Sequence, residues 1–299
     1  MAASDFVLSL VERKGWRATA AAGGWRLTRA DAPDLAFFLS FTPSWIVLQM
    51  PLAAYLPPDL DQAGRVTLYR ALLRHNEQMF MAKFALDEAG VPLLAVELPY
   101  APHLVEAGLD ALAHYATHYV ALLGQPDAWD TVPAGNLAAK ELFFDEPPGI
   151  PHEVIAYYVK AMEPCGWGMI ARPKGITWPL GYKGERTFEA FLTVTRAWAY
   201  FQVPLLPNVP AAHPDLAVQE TFLSYLLAVN QAWYAAKVGL GAADRVVMML
   251  EVPTQQLDFD LFRTITRLLA AYLDSYAREV QIMANLQADD RLRATLANS

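Results

Sequence analysis

Apolar residues recur along the chain at spacings that alternate between those of helices and those of strands. Residues 6–11 are apolar at helical spacing, and Gly15 is placed to end that helix. The stretch from Trp16 to Arg29 predicts two short strands around Gly23-Gly24, a common hairpin dipeptide. Alternation at residues 35–41 predicts a half-buried strand, and the turn at residues 42–44 leads into another at residues 45–48.

The next 75 residues predict two helices and a hairpin. The first helix runs from about Gln62 to His75, where Asn76 would close it in a left-handed conformation. Strands follow at residues 79–86 and 91–98 around a turn at residues 87–90, and the last helix covers about residues 103–123. We summarise this order as α-β-β-β-α-β-β-α. Hairpins pair strands antiparallel, so the predicted class is α+β, with helices packed on one sheet face.

The second half of the chain repeats the first. Residues 72–99 align without gaps on residues 226–253, and earlier and later matches keep their order while their offset grows, as small loop insertions would produce. Gly15-Trp16 matches Gly166-Trp167, and Tyr115 matches Tyr272. The repeat-signature residues Trp45, Asn76, Lys83 and Glu97 recur as Trp198, Asn230, Lys237 and Glu251. The sequence therefore predicts two tandem copies of one small antiparallel-sheet domain.

The copies set the predicted domain boundaries. Copy one covers residues 1–123 and copy two residues 151–288, with a polar tail at residues 289–299. Residues 124–150 form a proline-rich acidic linker, because proline removes backbone donors and interrupts regular elements. Within this linker, Leu142-Phe143-Phe144 is too apolar for a free tether, so we expect part of it to dock on a domain.

Composition narrows the class of protein. The 299 residues are 55% hydrophobic, which excludes intrinsic disorder, and the single Cys165 excludes a disulfide scaffold. A formal net charge of −8 disfavours a general nucleic-acid or membrane-surface binder. The first residues lack the basic region of a signal peptide, and no apolar stretch is long enough to span a bilayer. We expect a cytoplasmic protein, with Cys165 as a small buried filler and not a nucleophile.

A family resemblance rests on the best-aligned part of the repeat. Leu-Leu-Arg-His-Asn at residues 72–76, Ala-Lys-Phe-Ala-Leu-Asp-Glu at residues 82–88, Glu-Leu-Pro at residues 97–99 and the long helix after them resemble the YbjN family. Copy two departs from this pattern, with Gly241 and Ala242 where copy one has Asp87 and Glu88. The resemblance implies the fold of type III secretion chaperones, which are acidic, non-enzymatic α+β proteins that dimerise and hold protein partners. Tandem chains of this kind are similar to YbjN-homologous partners of a single-stranded-DNA-binding repair protein in radiation-resistant bacteria.

The recurring Lys83/Glu97 and Lys237/Glu251 pairs are the best candidates for an acid–base dyad. A symmetric turn at residues 87–90 would place Lys83 opposite Leu94 and Glu97 opposite Phe80. The two side chains would then lie on opposite sheet faces, unless a one-residue bulge shifts the register. We therefore favour a structural role, such as edge protection by an outward lysine, over catalysis.

A polar stripe on the last helix of copy one is the candidate metal site. It consists of Glu106, Asp110, His114 and His118 at four-residue steps, and a helical pair of histidines at this spacing can bind zinc or nickel. A solvated helix face is the preferred interpretation, so we predict no metal and no cofactor. Because copy two has Arg263 and Arg267 at the matching positions, the two stripes could instead meet across a pseudo-twofold axis.

One basic cluster and three aromatic residues complete the candidates. Arg13, Lys14, Arg17, Arg26 and Arg29 surround Trp16 and Trp25, the combination that binds single-stranded nucleic acid. Copy two lacks this cluster, so direct nucleic-acid binding is disfavoured. Trp178, Trp233 and Tyr234 are less constrained by the repeat and are the candidates for partner contacts, although a core role is favoured for each.

The sequence favours a non-catalytic protein-binding or chaperone-like module. By resemblance, its partner would be a single-stranded-DNA-binding repair protein, and we expect a homodimer. Two alternatives remain open: a metal-dependent enzyme that uses His114 and His118, and a nucleic-acid binder that uses the cluster between Arg13 and Arg29.

Overall fold

The computed structural model describes residues 3–99, 104–129, 149–205 and 215–275, together with residues 278, 279 and 282. Most of the predicted linker at residues 124–150, and the tail at residues 289–299, lie outside this part of the chain. The first half consists of α1 (Ala3–Arg13), β1 (Arg17–Ala21), β2 (Gly24–Arg29), β3 (Ala32–Phe41), β4 (Trp45–Pro51), α2 (Gln62–Gln78), β5 (Ala82–Leu86), β6 (Pro92–Pro99) and α3 (Val105–Leu123).

The second half repeats this order. It consists of α4 (His152–Ala161), β7 (Trp167–Met169), β8 (Thr177–Lys183), β9 (Thr187–Val194), β10 (Trp198–Pro204), α5 (Leu216–Ala232), β11 (Lys237–Leu240), β12 (Val246–Pro253) and α6 (Phe259–Ser275). Four strands precede the second helix in each half, matching the four strands predicted individually for residues 16–48, so the summary order α-β-β-β-α-β-β-α is one strand short. Across the described ranges, no helix has the length and apolar character needed to cross a membrane.

Each half contains one six-stranded antiparallel sheet, which confirms the predicted α+β class. The strand orders are β1-β2-β3-β4-β6-β5 and β7-β8-β9-β10-β12-β11, so equivalent strands occupy equivalent places. Within the first half, α1 packs against α3, and α3 crosses strands β3 to β6. The inner sheet face beneath α3 carries buried residues such as Leu27, Leu39 and Leu48. The strands β5 and β11 are the inner edges of the two sheets.

The turn between β5 and β6 contains one residue more than the symmetric turn that we predicted. Leu86 pairs with Pro92, and the Asp87 N–H donates to Val91 O, so Lys83 lies opposite Ala95 and not opposite Leu94. Gly90 takes a left-handed backbone (φ +77°), which accommodates the added residue. The predicted register is therefore wrong by one residue, and Lys83 and Glu97 share the sheet face opposite the one that α3 covers.

The middle helices of the two halves pack on each other. Helix α2 contacts β11 more extensively than its own β5, and α5 contacts β5 more extensively than its own β11. Gly239 on β11 permits this close approach, because a Cβ there would lie 2.9 Å from both Leu73 O and Glu77 N of α2. Each half therefore covers the inner sheet edge of the other, and their buried apolar residues form one continuous core.

Candidate functional site between the two halves

The candidate dyad of the first half is a buried ion pair. Lys83 Nζ lies 2.5 Å from Glu97 Oε2, and the two side chains are 3% and 2% exposed. The ammonium also donates to Trp233 O and to Ala236 O, at 3.2 Å in the latter case. Glu97 Oε2 accepts a further hydrogen bond from the Ala235 N–H at 3.1 Å. An ion pair of the first half thus holds the backbone of the second half.

The second half repeats this arrangement in the opposite direction. Lys237 Nζ lies 3.0 Å from Glu251 Oε2, and both side chains are again almost fully buried. Lys237 donates to Met79 O and, at 3.1 Å, to Ala82 O of the first half. The lysines do not point outward to protect a sheet edge, as we expected, because the other half covers each edge.

Burial controls the electrostatics of the first pair. Loss of hydration lowers the pKa of Lys83 and raises the pKa of Glu97, and the attraction between the two charges opposes both shifts. Removing two charges from water is costly, and it is tolerated only where hydrogen bonds satisfy them. Lys83 meets this condition with the carbonyls across the interface. The geometry gives the pair a joining role, because both its charged groups bond backbone atoms of the other half.

The recurring asparagines close the two inner sheet edges. Asn76 Nδ2 donates to Phe84 O at 3.0 Å and to Val238 O at 3.2 Å, and its Oδ1 accepts from the Phe84 N–H at 2.6 Å. Asn230 donates to the same two carbonyls, at 3.1 and 3.0 Å, and accepts from the Val238 N–H at 2.5 Å. We call these two side chains the asparagine clasp.

The clasp corrects the prediction for Asn76. Helix α2 continues to Gln78, so Asn76 lies inside the helix and is completely buried instead of closing it. Edge strands carry unpaired backbone groups that must be hydrogen-bonded when they are buried. The asparagine amides satisfy those groups on β5 and β11 at once, which gives their recurrence a physical reason.

Aromatic stacks flank the interface on both sides. Trp45 stacks on Tyr234 with ring centroids 5.0 Å apart, and Phe80 stacks on Trp198 at 4.9 Å. The hydroxyl of buried Tyr115 accepts from the Phe80 N–H at 2.8 Å. Trp45 and Trp198 thus each contact the opposite half.

The three aromatic candidates for partner contacts pack within the molecule. Trp178 and Trp233 are fully buried, and Trp233 stacks on Tyr272 at 5.1 Å. Tyr234 is partly exposed and stacks on Trp45. Trp233 and Tyr234 therefore contribute to the contact between the halves, whereas Trp178 packs against His152.

A network of arginines, which the sequence analysis missed, extends the interface. Arg70 and Arg74 of α2 both pair with buried Asp244 of the second half, with an Arg74–Asp244 distance of 3.1 Å. Arg65 pairs with Glu220 of α5 at 2.6 Å. The positions that match Arg70 and Arg74 in copy two are Ser224 and Ala228, so a search for repeated residues could not find them.

The acidic stripe on α3 pairs within its own half. Glu106 lies 3.6 Å from Arg13, and Asp110 lies 2.8 Å from Lys14. Arg263 instead pairs with Asp260 on its own helix. Among the described residues, these acids thus pair with cations at the end of α1 and not, as we expected, with the arginines of the second half.

The two histidines of the stripe contact each other. Their ring centroids are 4.2 Å apart, and His118 Nδ1 is 2.7 Å from His114 O. Partial burial and the neighbouring His118 lower the pKa of His114. Among the described residues, no three His, Cys, Asp or Glu side chains form a group that could hold a metal ion.

The basic cluster is divided among different contacts. Besides Arg13 and Lys14, Arg29 pairs with Asp31 at 2.6 Å and lies over the Trp16 ring at 5.0 Å. Trp16 is buried against Phe37, so its ring does not form a platform for a base. Cys165, placed by the sequence as a buried filler, is a partly exposed free cysteine in a short turn.

A cleft of about 500 Å³ opens beside the Phe80–Trp198 stack. Helix α3 forms one wall with Ala107, Ala111 and His114, and the second half forms the other with Pro253 and Gln255. On the opposite side, beside the Trp45–Tyr234 stack, the matching space is a cavity of about 20 Å³. Thr264 and Leu268 line this cavity at the positions of Ala107 and Ala111.

No known protein-family model matches the chain, and a search of curated proteins finds none with significant similarity to it.

Proposed function

We propose that this chain is a non-catalytic protein-binding module of the chaperone-like kind, a tandem member of the YbjN-like group. The observation that carries the proposal is the burial of the recurring lysine–glutamate pairs. These residues are the most plausible acid–base groups in both copies, and their side chains are 2–3% exposed and engaged across the interface. The cavity that Glu97 and Glu251 line is about 20 Å³, which is too small for a substrate larger than water.

The way in which the halves are joined also favours binding. A twofold, self-complementary contact is the usual interface of homodimers, and here one chain supplies both sides of it. Binding proteins use such pairs to present an extended rigid surface. We therefore expect the joined halves to act as one scaffold, with further self-association, as in the expected homodimer, limited to the outer surfaces.

The partner is proposed from the resemblance and from charge. A net charge of −8 favours association with a basic protein, and proteins that bind single-stranded DNA carry basic surfaces. A single-stranded-DNA-binding repair protein fits both considerations. Since electrostatic complementarity mainly sets the association rate, this complex should weaken as salt rises.

Affinity capture from native lysate of the source cell, followed by mass spectrometry and by binding assays with the purified partner, tests the proposal. We expect one stoichiometric protein, captured equally by the wild type and by the double variant Lys83→Met/Glu97→Leu. That variant removes the candidate dyad while it keeps apolar packing. Loss of binding in a folded double variant, or capture of no stoichiometric partner, would contradict the proposal.

A further inference from the structure

A left-handed turn recurs in both halves, where the middle helix leads into the inner edge strand. Met81 and Ala235 are equivalent positions of the two copies, and both have a left-handed backbone, with φ of 60° and 59°. The turns at residues 80–82 and 234–236 are γ-turns, since the N–H of the third residue donates to the carbonyl of the first at 2.7 Å in each. We call them the first and the second γ-turn. A left-handed backbone disfavours a residue with a side chain by a factor of about 5–30, so both turns are strained.

The groups that hold the second γ-turn come from the first half. The Lys83 ammonium donates to the carbonyls of Trp233 and Ala236. Ala235 lies between these two residues, and its N–H donates to Glu97 Oε2 at 3.1 Å. One buried ion pair therefore bonds the backbone before, at and after the left-handed residue.

The first γ-turn is held from the second half in a similar way. Lys237 donates to Met79 O and, at 3.1 Å, to Ala82 O, and these carbonyls lie on either side of Met81. The same arrangement of a lysine around a left-handed residue thus occurs twice, in opposite directions across the interface.

Each γ-turn also has a support within its own half. The hydroxyl of Tyr115 accepts from the Phe80 N–H at 2.8 Å, and the hydroxyl of Tyr272 accepts from the Tyr234 N–H at 2.7 Å. These bonds fix the residue before the left-handed one, whereas the groups of the opposite half bond the backbone around the left-handed residue itself. The contacts therefore divide the support of each turn between the two halves.

From these contacts we propose that each γ-turn takes its left-handed conformation only while the opposite half is docked on it. The interface is then a conformational device, in which each half shapes the inner sheet edge of the other. Separation of the halves releases both turns, together with the rings of Phe80 and Tyr234 that stack on the opposite tryptophans. This inference concerns contacts within one chain and does not depend on the proposed function.

A double-mutant cycle in the full-length protein tests the dependence. Ala235→Gly removes the strain at the left-handed residue, so we expect the equilibrium constant of unfolding, measured by urea denaturation, to fall about fivefold. In the Lys83→Met/Glu97→Leu background the second γ-turn is free to leave the left-handed region, and the same substitution should change the constant less than about twofold. The Lys237→Met/Glu251→Leu background is the control, because the second γ-turn keeps its ion pair there and the fivefold effect should remain.

The first γ-turn gives the reciprocal test. Met81→Gly is compared with Met81→Ala, so that the loss of the methionine side chain cancels. We expect the advantage of glycine over alanine to vanish in the Lys237→Met/Glu251→Leu background and to persist in the Lys83→Met/Glu97→Leu background. An advantage that is equal in the two backgrounds at either turn, or that is missing from the otherwise wild-type chain, would overturn the proposal.

Amide hydrogen exchange gives a second readout, for which either double variant is sufficient by itself. The Ala82 N–H closes the first γ-turn and the Ala236 N–H closes the second. In Lys83→Met/Glu97→Leu the protection of the Ala236 amide should fall at least about tenfold more than that of the Ala82 amide, because local opening controls exchange. The Lys237→Met/Glu251→Leu variant should show the reverse order. Equal losses at the two amides would show that each turn is held by its own half.

Discussion

The two halves share the ion pairs, asparagines and tyrosines at the centre of their contact, and they differ in the arginines at its rim and in the polar faces of their last helices. Asn76, Lys83, Glu97 and Tyr115 have identical counterparts in the second half, and each equivalent pair crosses the interface or supports it. By contrast, the stripe on α3 is acidic and histidine-rich, while α6 carries arginines at the matching places. The comparison indicates that the copies are constrained by their mutual contact and are otherwise free to differ.

Among substitutions at the interface between the halves, breaking one buried ion pair should cause the largest loss in the free energy of unfolding. Lys83→Met leaves Glu97 buried without its counter-charge, and we expect a loss of about 3–5 kcal/mol in the free energy of unfolding, measured by urea denaturation. Lys83→Met/Glu97→Leu should recover most of that loss. If the losses in unfolding free energy caused by Lys83→Met and Lys237→Met differ by several kcal/mol, the two ion pairs are not equivalent.

Removing one half of the asparagine clasp should cost somewhat less. Asn76→Ala leaves the Phe84 N–H without its acceptor and removes one donor from each of two buried carbonyls, so we expect about 2–3 kcal/mol of destabilisation. Asn230→Ala is the matched variant and should cost the same. Thermal denaturation of both variants checks whether their losses of stability are equal. An unchanged stability in either variant would show that the asparagine clasp does not stabilise the interface.

The glycine beneath the close helix–strand contact is present in the second half, at Gly239, whereas the equivalent position of the first half is Ala85. Gly239→Ala would push α2 away from β11, and we expect a loss of about 1–3 kcal/mol. The equivalent first-half position already holds alanine, so Ala85→Gly serves as the control and should cost about 1 kcal/mol or less. Equal effects of the two substitutions would show that the halves approach each other equally closely.

The turn between β11 and β12 is strained, whereas the matching turn between β5 and β6 has its left-handed backbone at Gly90. Ala243 has a left-handed backbone (φ 57°, ψ 34°), and Asp244 beside it has φ 53°. Because glycine adopts this conformation without strain, Ala243→Gly should raise the free energy of unfolding by about 1 kcal/mol. Ala242→Gly is the control, and stabilisation by that variant as well would place the strain elsewhere.

We expect the smallest loss of stability from removing the Arg65–Glu220 ion pair, which lies at the rim of the interface between the halves. Hydrogen bonding to Arg65 lowers the pKa of Glu220, so its contribution to stability is present above the ordinary glutamate pKa and is lost as pH falls through the lowered value. The pair is partly exposed, and its contribution is about 0.2–1 kcal/mol. Glu220→Gln should reduce stability at pH 7 and leave it unchanged near pH 2, as measured by urea denaturation at both values.

The sequence predicts the local elements well where a glycine or a turn defines them. The Gly23-Gly24 hairpin, the end of α1 before Gly15 and the repeat of the sheet follow from periodicity and turn chemistry. The register of Lys83 does not, since it depends on one left-handed glycine in the β5–β6 turn. A single residue of slip was enough to place the dyad on opposite faces in the prediction.

The interface between the two halves could not be predicted, because it is made of contacts between segments that are far apart in the sequence. Asparagine is a residue type that often ends helices, which is why the sequence predicts a helix terminus at Asn76. In the structure its amide instead donates to backbone carbonyls on the edge strands of both sheets, and these strands come together only in the folded chain. The arginines that hold Asp244 are not repeated, so comparison of the copies cannot reveal them. Tertiary contact, and not local propensity, decides these roles.

The flanks of the interface beside Ala111 and Leu268 differ in the space that they offer to another group. A true homodimer presents every surface twice, so a ligand that recognises one flank binds it with a stoichiometry of two. In this chain the flank beside Trp198 has room for large side chains and its counterpart beside Trp45 does not. That space is therefore present on one flank of the chain and not on the other, so the two halves are not interchangeable as binding surfaces.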